Sequence, residues 1–314
     1  MDVLFTFKIK DEQIDKLKAD FPGIRFSFNK IIEADPIDKF EIIVTYGEDI
    51  TEEVLSRATS LKWLMVASAG VEKMPLAAIA DKDIIISNVR GIHKTPMAET
   101  ALAHILSLGR ALPQLADQQK RKEWNSKVRQ TELHGSTAMI LGPGAIGSEI
   151  GRLLQAFGVR TIGCNYSGNQ AAHMNDTIRF DRLINRLPEA DIVISVLPST
   201  AKTKGMLTET HFRTMKKTAI FMNFGRGDLV KENVLVDALK NEEIGHAVLD
   251  VFEIEPLPAD SELWSLSNVT ISPHVSSHSG KYIERALEFF TENLEKWQKG
   301  NMDLVNLIDP EKGY

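Results

Sequence analysis

The stretch Thr137-Ala-Met-Ile-Leu-Gly-Pro-Gly-Ala-Ile-Gly-Ser-Glu-Ile-Gly151 decides the fold. An apolar run leads into three glycines and then into a helical pattern, with G-x-G-x-x-G spacing at Gly142, Gly144 and Gly147. In this arrangement the first glycine permits a tight turn, the second lets a pyrophosphate approach the backbone, and the third lets helix and strand pack closely. The positive end of the helix then faces the phosphates. The sequence therefore predicts a dinucleotide site.

The proline inside this loop restricts which groups can hold a phosphate. Pro143 has no N–H, so the phosphates would have to be bound by the amides that follow it, in the segment that contains Ala145. A glycine pattern alone is weak evidence, and its position between a strand and a helix makes it much stronger.

Length and composition narrow the class of protein. A chain of 314 residues is near the limit of one core, so we expect two domains. The net charge of −6, from 37 basic and 43 acidic residues, argues against a nucleic-acid partner. Cys164 is the single cysteine and suits a reducing, cytoplasmic location. The apolar run at Val3–Phe7 is too short for a signal sequence, and we expect no membrane span.

Short apolar runs alternate with helical patterns along most of the chain, which is typical of parallel α/β sheets. We predict an α/β fold with two doubly wound parallel-sheet domains, in which a Rossmann-type cofactor domain is inserted in a flavodoxin-like substrate domain. Residues 1–92 and 276–314 would form the substrate domain, and residues 93–275 would bind the dinucleotide. The predicted helix Gly280–Lys299 returns to the first domain. A further solvated helix is predicted over Gln114–Arg129.

The end of the second strand of the cofactor domain selects the coenzyme. Enzymes that use NAD place an Asp or Glu there to hold the ribose diol, whereas this chain has Asn165. The neutral side chain removes the repulsion against a 2′-phosphate, which favours NADP. No Arg follows immediately, and Arg179 is considered too distant in sequence to take part, so NAD stays open.

Three polar residues follow apolar strands, namely Arg226, Glu255 and His274, and all three could meet at one sheet edge. Together they suit reduction of a 2-keto acid. Arg226 offers a planar fork for a carboxylate and a carbonyl oxygen. His274 would donate a proton to the carbonyl oxygen, and Glu255 would orient the ring and favour its protonated form. Asp250 could contact the nicotinamide side of the cofactor.

The chain resembles the D-isomer-specific 2-hydroxyacid dehydrogenases across nearly its full length. The resemblance lies in the glycine loop and four further motifs: Pro96-Met-Ala-Glu-Thr100, Asn223-Phe-Gly-Arg-Gly227, Asp250-Val-Phe-Glu-Ile-Glu-Pro256 and Ser272-Pro-His274. It implies an NAD(P)-dependent enzyme with Arg226 as substrate clamp, Glu255 as the partner of the histidine and His274 as acid/base. It implies no resident metal, and a homodimer that pairs through the cofactor domain.

The same resemblance implies further binding residues. The amides of Ala69, Gly70 and Val71 would hold the substrate carboxylate, although the sequence alone favours an ordinary turn there. Ile146 would lie against the pyrophosphate, and Thr95 and the region of Pro198 would line the cofactor pocket. His93 either enters the substrate site or, as we favour, lies on the surface of a hinge.

Two alternatives remain at this point. The enzyme could instead oxidise a phosphorylated hydroxy acid or formate, and the lack of a regulatory domain after residue 314 speaks against phosphoglycerate. A dinucleotide-sensing protein similar to corepressors of this fold is the non-enzymatic alternative. The intact trio of Arg226, Glu255 and His274 argues against such a sensor.

Overall fold

The computed structural model describes residues 1–29, 32, 36–68, 70–71 and 74–310. The chain forms two compact units, one of Met1–Ile92 with Ser279–Tyr314 and the other of His93–His278. The chain thus passes between the units after Ile92 and again after His278, three residues later than the second boundary we predicted.

The described residues form strands and helices that alternate along most of the chain. The strands are β1 (Asp2–Phe5), β2 (Arg25–Phe28), β3 (Ile42–Thr45), β4 (Trp63–Val66), β5 (Ile85–Asn88), β6 (Thr137–Leu141), β7 (Arg160–Asn165), β8 (Asp176–Arg179), β9 (Ile192–Ser195), β10 (Ile220–Asn223), β11 (His246–Leu249), β12 (Val269–Ile271) and β13 (Leu307–Ile308). The helices are α1 (Asp11–Asp20), α2 (Glu52–Arg57), α3 (Leu76–Ala80), α4 (Lys94–Gly109), α5 (Leu112–Arg121), α6 (Ala145–Ala156), α7 (Leu183–Arg186), α8 (Glu209–Thr214), α9 (Glu232–Lys240) and α10 (Tyr282–Gln298).

The first unit contains a six-stranded sheet in the order β13-β5-β4-β3-β1-β2. The strands β1 to β5 are parallel and have the flavodoxin-like order, and β13 joins the edge antiparallel to β5. Strands β3 and β4 are buried along their whole length, as expected for strands covered on both faces.

Helix α10 covers one face of this sheet with large aromatic side chains. The ring of Trp63 stacks on Phe290 at 5.8 Å and on Trp297 at 5.5 Å between centroids. Phe290 is fully buried. Burying each such ring stabilises the fold by about 1.5–3 kcal/mol. Helix α10 is therefore an integral part of the first unit.

The second unit contains a seven-stranded parallel sheet in the order β12-β11-β10-β9-β6-β7-β8. From β6 outward this is the Rossmann order, with β12 added at one edge. Helices α4 and α6 bury their apolar faces in one core cluster with β6 and β9. The predicted fold class, two parallel-sheet α/β domains of flavodoxin-like and Rossmann type, is confirmed.

The extent of one predicted helix is wrong. The pattern over Gln114–Arg129 predicts a single helix, whereas α5 ends at Arg121 and Lys122 adopts a left-handed backbone with φ of 58°. The ten residues that follow are almost all exposed, so no apolar face stabilises further helical turns. In the described part of the chain, no helix is both long and apolar enough to cross a membrane.

Three strands, β2, β8 and β13, have no clear apolar run in the sequence that would predict them. All three lie at the edge of a sheet, and two of them mix polar and apolar residues, as in the Asp-Thr-Ile-Arg of β8. Edge strands are covered less completely than central ones, so their sequences lack the continuous apolar run that identifies a buried strand.

Candidate active site

The glycine loop connects β6 to α6 and has the geometry that its sequence predicts. Gly142 adopts a φ of 89°, which favours glycine. A Cβ on Gly147 would collide with the carbonyl oxygen of Gly142, so the third glycine is required for close packing of the helix. A Cβ on Gly144 would meet no atom within 4 Å. Open space therefore lies over the position where a pyrophosphate is expected to approach.

The first turn of α6 supplies the donors that such a ligand needs. The amide of Gly144 donates to the carbonyl oxygen of Gly142 at 2.8 Å, and the first helical hydrogen bond runs from Ser148 to Gly144 at 2.8 Å. The amides of Ala145 and Ile146 precede this hydrogen-bonded ladder, as the first amides of any helix do. The loop therefore fits the diphosphate of a dinucleotide.

Arg226 follows β10 in a segment that is fixed on both sides. The side chain of Asn223 donates to the carbonyl oxygen of Arg226 at 3.0 Å and accepts from the amide of Gly225 at 3.1 Å. A Cβ on Gly225 would collide with the backbone of Leu197, and one on Gly227 with the backbone of Phe252. The two glycines therefore let this segment pass between its neighbours, and the Arg226 side chain is exposed.

Glu255 and His274 form a direct pair. Nδ1 of His274 lies 2.8 Å from Oε2 of Glu255. The other carboxylate oxygen of Glu255 accepts from the amide of Phe252 at 2.9 Å, so both oxygens of this carboxylate are fixed. A carboxylate on Nδ1 assigns the Nδ1–H tautomer to the neutral ring and directs Nε2 outward.

The loop that carries His274 is held by a buried carboxylate. Asp250 is 0% exposed, and its two oxygens accept from the Ser272 hydroxyl at 2.6 Å, the Val275 amide at 2.9 Å and the Ser276 amide at 3.0 Å. His274 itself has a φ of 54°, and its amide donates to the carbonyl oxygen of Asp250 at 2.9 Å. Asp250 therefore positions the histidine, a role that the sequence did not reveal.

Arg226, Glu255 and His274 thus lie at one edge of the second sheet. Strands β10, β11 and β12 are neighbours and parallel, so their carboxyl ends meet at the same edge. The three side chains follow these three strands in turn. This juxtaposition is what acid/base chemistry on a bound carbonyl compound requires.

His93 lies close to this group. It is half-buried at the start of α4, and burial, together with the positive charge of Arg226, lowers the pKa of His93. The sequence favours a position on the surface of a hinge for this residue. The structure instead half-buries it where it experiences the positive charge of Arg226.

Asn165 and Arg179 are cross-strand partners, which corrects our treatment of Arg179 as too distant. Strands β7 and β8 are parallel neighbours, and Asn165 is paired with Arg179 in their register. The two residues are fourteen positions apart in sequence, but in the sheet they are separated by one strand spacing, about 4.8 Å. The signal was missed because the pairing could not be read without identifying β8.

The remaining predicted binding residues occupy the expected elements. Thr95 is half-buried in the first turn of α4, and the carbonyl oxygen of Pro198 accepts from the Thr203 hydroxyl at 2.6 Å. In the first unit, the carbonyl oxygen of Gly70 accepts from the Ser68 hydroxyl at 2.8 Å, and Val71 is buried.

Ala69 lies outside the described residues. Among the residues that are described, no group of three or more His, Cys, Asp or Glu side chains could hold a metal ion.

Comparison with known proteins agrees with this geometry. Residues 102–276 match the model of the D-isomer specific 2-hydroxyacid dehydrogenase, NAD binding domain. A glyoxylate/hydroxypyruvate reductase B from Salmonella schwarzengrund is 30% identical over 270 residues, which is 84% of this chain and 83% of the reductase. A D-3-phosphoglycerate dehydrogenase from Methanocaldococcus jannaschii is 32% identical over 85% of this chain. The matched region spans only 51% of that relative.

Solved structures extend the similarity to the whole chain. A D-isomer specific 2-hydroxyacid dehydrogenase family protein from Aeromonas salmonicida has a TM-score of 0.87 and 34% identity, over 98% of this chain and 99% of that one. An NADPH-dependent glyoxylate/hydroxypyruvate reductase from Sinorhizobium meliloti, in complex with NADP and sulfate, has a TM-score of 0.80 and 26% identity, over 100% and 99%. The chain belongs to the D-isomer-specific 2-hydroxyacid dehydrogenases, which are NAD(P)-dependent oxidoreductases.

Proposed function

We propose that this enzyme reduces a short 2-keto acid, of the glyoxylate or hydroxypyruvate type, to the D-2-hydroxy acid. The observation that carries the proposal is the pair of His274 and Glu255 at 2.8 Å, at the sheet edge that Arg226 shares. The choice of a short keto acid is supported by the reductase from Salmonella, of which the chain covers 83%.

His274 acts as the acid in this proposal. Its Nδ1 is held by Glu255, so the proton on Nε2 is directed to the carbonyl oxygen of the keto acid. In the reverse direction the same nitrogen takes the proton of the hydroxyl group. Glu255 holds the ring in this orientation, and its own orientation is fixed by the Phe252 amide.

Arg226 binds the substrate in this proposal. A guanidinium group presents a planar fork that matches a carboxylate and the neighbouring carbonyl oxygen, and it stays protonated throughout the reaction. Its position is supported by Asn223 and by the two flanking glycines. The amides of the segment that contains Ala69, Gly70 and Val71, after β4, are proposed to hold the substrate carboxylate as well.

The coenzyme would be held by the second unit. Gly142, Gly144, Ala145, Ile146 and Gly147 are proposed to bind the diphosphate. Thr95 and Pro198 would line the pocket, and Asn165 would lie beside the adenine ribose. Asp250, which we expect from the sequence to contact the nicotinamide side, is 0% exposed and would instead support the pocket by holding the His274 loop. When bound, the reduced nicotinamide supplies the hydride. The open space over Gly144 supports this assignment.

Steady-state kinetics over a panel of 2-keto acids test the proposal. We expect glyoxylate and hydroxypyruvate to be reduced faster than longer or branched keto acids, and hydroxypyruvate to give D-glycerate by chiral chromatography. An L-product, or no turnover of any keto acid with either coenzyme, would contradict the proposal.

A second candidate is oxidation of 3-phosphoglycerate, because the relative from Methanocaldococcus jannaschii is 32% identical. The chain spans about half of that protein, so this likeness does not extend to its full length. Assay of 3-phosphoglycerate with NAD⁺ in the same panel separates the candidates, since only the second predicts that the phosphate group raises kcat/KM.

We also propose a homodimer that pairs through the second unit, in the cytoplasm. The location is supported by Cys164, which is buried and is the chain's only cysteine, as suits a reducing compartment.

The dimer is supported by two exposed apolar side chains. Leu112, on α5, is 51% exposed, and Trp124, just after α5, is 101% exposed; large exposed apolar side chains of this kind are typical of interfaces. Sedimentation of wild type and Trp124→Ser should show a dimer that the substitution weakens; a monomeric wild type would contradict it.

A further inference from the structure

The carboxyl edge of β7 and β8 brings together side chains that are far apart in sequence. Asn165 is the last residue of β7, Arg179 is the last residue of β8, and the two are directly paired. This edge lies next to the glycine loop, because β6 pairs with β7. In the Rossmann arrangement, the ribose that carries the adenine lies at the end of this second strand.

The side chain of Asn165 forms hydrogen bonds within the turn that follows it. Its Oδ1 accepts from the amide of Gly168 at 2.6 Å and from the hydroxyl of Ser167 at 3.3 Å. Its Nδ2 donates to the carbonyl oxygen of Asn169 at 3.0 Å. Recognition of an unphosphorylated ribose needs an acceptor for the 2′-hydroxyl at this position. The oxygen that would serve already receives two donors, so this turn is poorly suited to NAD.

Arg179 packs its stem across the same turn. Gly168 has a φ of 73°, and a Cβ there would lie 2.7 Å from Cγ of Arg179. The Arg179 side chain is 61% exposed, and its Nε lies 3.4 Å from Oδ2 of Asp181, which is 63% exposed. An ion pair this exposed contributes little free energy, so it does not prevent the guanidinium from binding a stronger anion.

A second positive charge faces the turn from another loop. Nζ of Lys202 lies 5.4 Å from the centroid of the Tyr166 ring, and this ring packs edge-on against Phe180 at 4.7 Å. The turn that begins at Asn165 is therefore bordered by Arg179 from the end of β8 and by Lys202 over Tyr166. A phosphate, with charge near −2 and three acceptor oxygens, suits such a place.

We propose that Arg179 binds the 2′-phosphate of NADPH and makes this enzyme prefer NADPH over NADH, with Lys202 adding to the positive potential. The proposal rests on the proposed function, because it assumes that the dinucleotide lies along the glycine loop. It assigns a coenzyme-selecting role to a residue on β8, one strand beyond the position that the sequence motif identifies.

Calorimetric titration of the intact enzyme tests the proposal independently of turnover. We expect wild type to bind NADPH about tenfold or more tightly than NADH, as for a hydrogen-bonded ion pair. Arg179→Ala should remove most of this difference by weakening NADPH alone. Arg179→Lys, which keeps the charge but loses the planar fork, should fall between the two.

Arg160→Ala is the matched control. Arg160 begins β7, about 16 Å along the strand from Asn165, and its side chain is half exposed. Removing it changes the net charge by the same amount, and we expect the affinity for NADPH to be unchanged. The pair 2′,5′-ADP and 5′-AMP repeats the comparison with ligands that lack the nicotinamide.

Three outcomes would overturn the proposal. Two concern Arg179→Ala: equal loss of NADPH and NADH affinity, or an unchanged preference for NADPH. The third is tighter binding of NADH than NADPH by wild type. Keto-acid reduction in the same preparations separates the two proposals. If keto acids are reduced but the preference for NADPH does not depend on Arg179, only the coenzyme assignment is contradicted. If the preference for NADPH depends on Arg179 but no keto acid is reduced, only the proposed reaction is contradicted.

Discussion

His274 shows how much of the local structure serves one side chain. Its backbone is left-handed, with φ of 54°, a conformation that non-glycine residues rarely adopt. Such a position persists only where the surroundings fix it, and here the buried Asp250 binds the loop on both sides of the histidine. The observed strain therefore coincides with the residue that we assign to proton transfer.

Glu255→Gln is the most informative change beside the histidine. Glu255 accepts from the Phe252 amide and from Nδ1 of His274 with separate oxygens, whereas Gln has one acceptor oxygen and cannot keep both contacts. The histidine ring of the variant loses its fixed orientation, so we expect kcat for keto-acid reduction to fall about tenfold or more. The measurement is kcat at saturating coenzyme and keto acid.

Glu253→Gln is the control for that measurement. Glu253 lies two residues away and contacts Lys231 and the amide of Glu232, outside the catalytic group. Its kcat should equal that of wild type. If both variants lose kcat alike, the effect comes from the lost charge in general and Glu255 has no special role.

Arg226, Glu255 and His274 could be identified from the sequence because each follows a buried apolar strand, where parallel sheets place functional groups. The anchoring by Asn223 and Asp250 could not, because a hydrogen bond to a neighbouring loop leaves no pattern in one sequence. The position of Arg179 could not either, because neighbours across β7 and β8 are fourteen positions apart in sequence.

In the loop between β6 and α6, one glycine is required for packing and another is expected to contact the coenzyme. A Cβ on Gly147 collides with backbone, whereas a Cβ on Gly144 enters open space. We expect Gly147→Ala to reduce the free energy of unfolding by about 1–3 kcal/mol, as overpacking does. Gly144→Ala should leave stability near that of wild type.

The coenzyme affinity should be affected most in Gly144→Ala, the variant whose stability is expected to be unchanged. Gly144→Ala places a methyl group where the pyrophosphate is expected, so we predict a rise in the coenzyme Kd of about tenfold or more. Thermal unfolding and calorimetric titration measure the two quantities. Normal coenzyme affinity in Gly144→Ala would show that the phosphates lie elsewhere.

Central elements were predictable and edges were not. Strands such as β3, β4 and β9 are buried throughout, so their apolar runs could be read directly. The edge strands β2 and β8 carry polar residues, and α5 ends where the chain loses any apolar face. In each case the deciding contact comes from tertiary structure, which a local pattern does not contain.

For the whole molecule, the pKa shifts predict how stability depends on pH. Burial is the first cause that lowers the pKa of four histidines: His93, His104, His211 and His246. As the pH decreases below about 6.5, the unfolded chain therefore takes up protons before the folded one does. The free energy of unfolding should decrease as the pH decreases through this range. Above that pH these residues contribute no such dependence.

Thermal unfolding from pH 8 to pH 5 measures this slope. The half-buried His246, whose Nε2 lies 2.9 Å from the Thr270 hydroxyl, offers a test variant. His246→Gln retains a polar partner for Thr270 but cannot take up a proton, so its melting temperature should depend less steeply on pH. A melting temperature that is constant from pH 8 to 5 in wild type would contradict the assignment.

Proton donation by His274 during hydride transfer is the central claim, and single-turnover kinetics test it most directly. Enzyme with prebound coenzyme is mixed with keto acid, and the loss of nicotinamide absorbance is followed for wild type, His274→Ala and the control His278→Ala. We predict that His274→Ala slows hydride transfer about 10²-fold or more with coenzyme affinity retained, and that His278→Ala reacts as wild type does. Hydride transfer at the wild-type rate in His274→Ala would contradict the account.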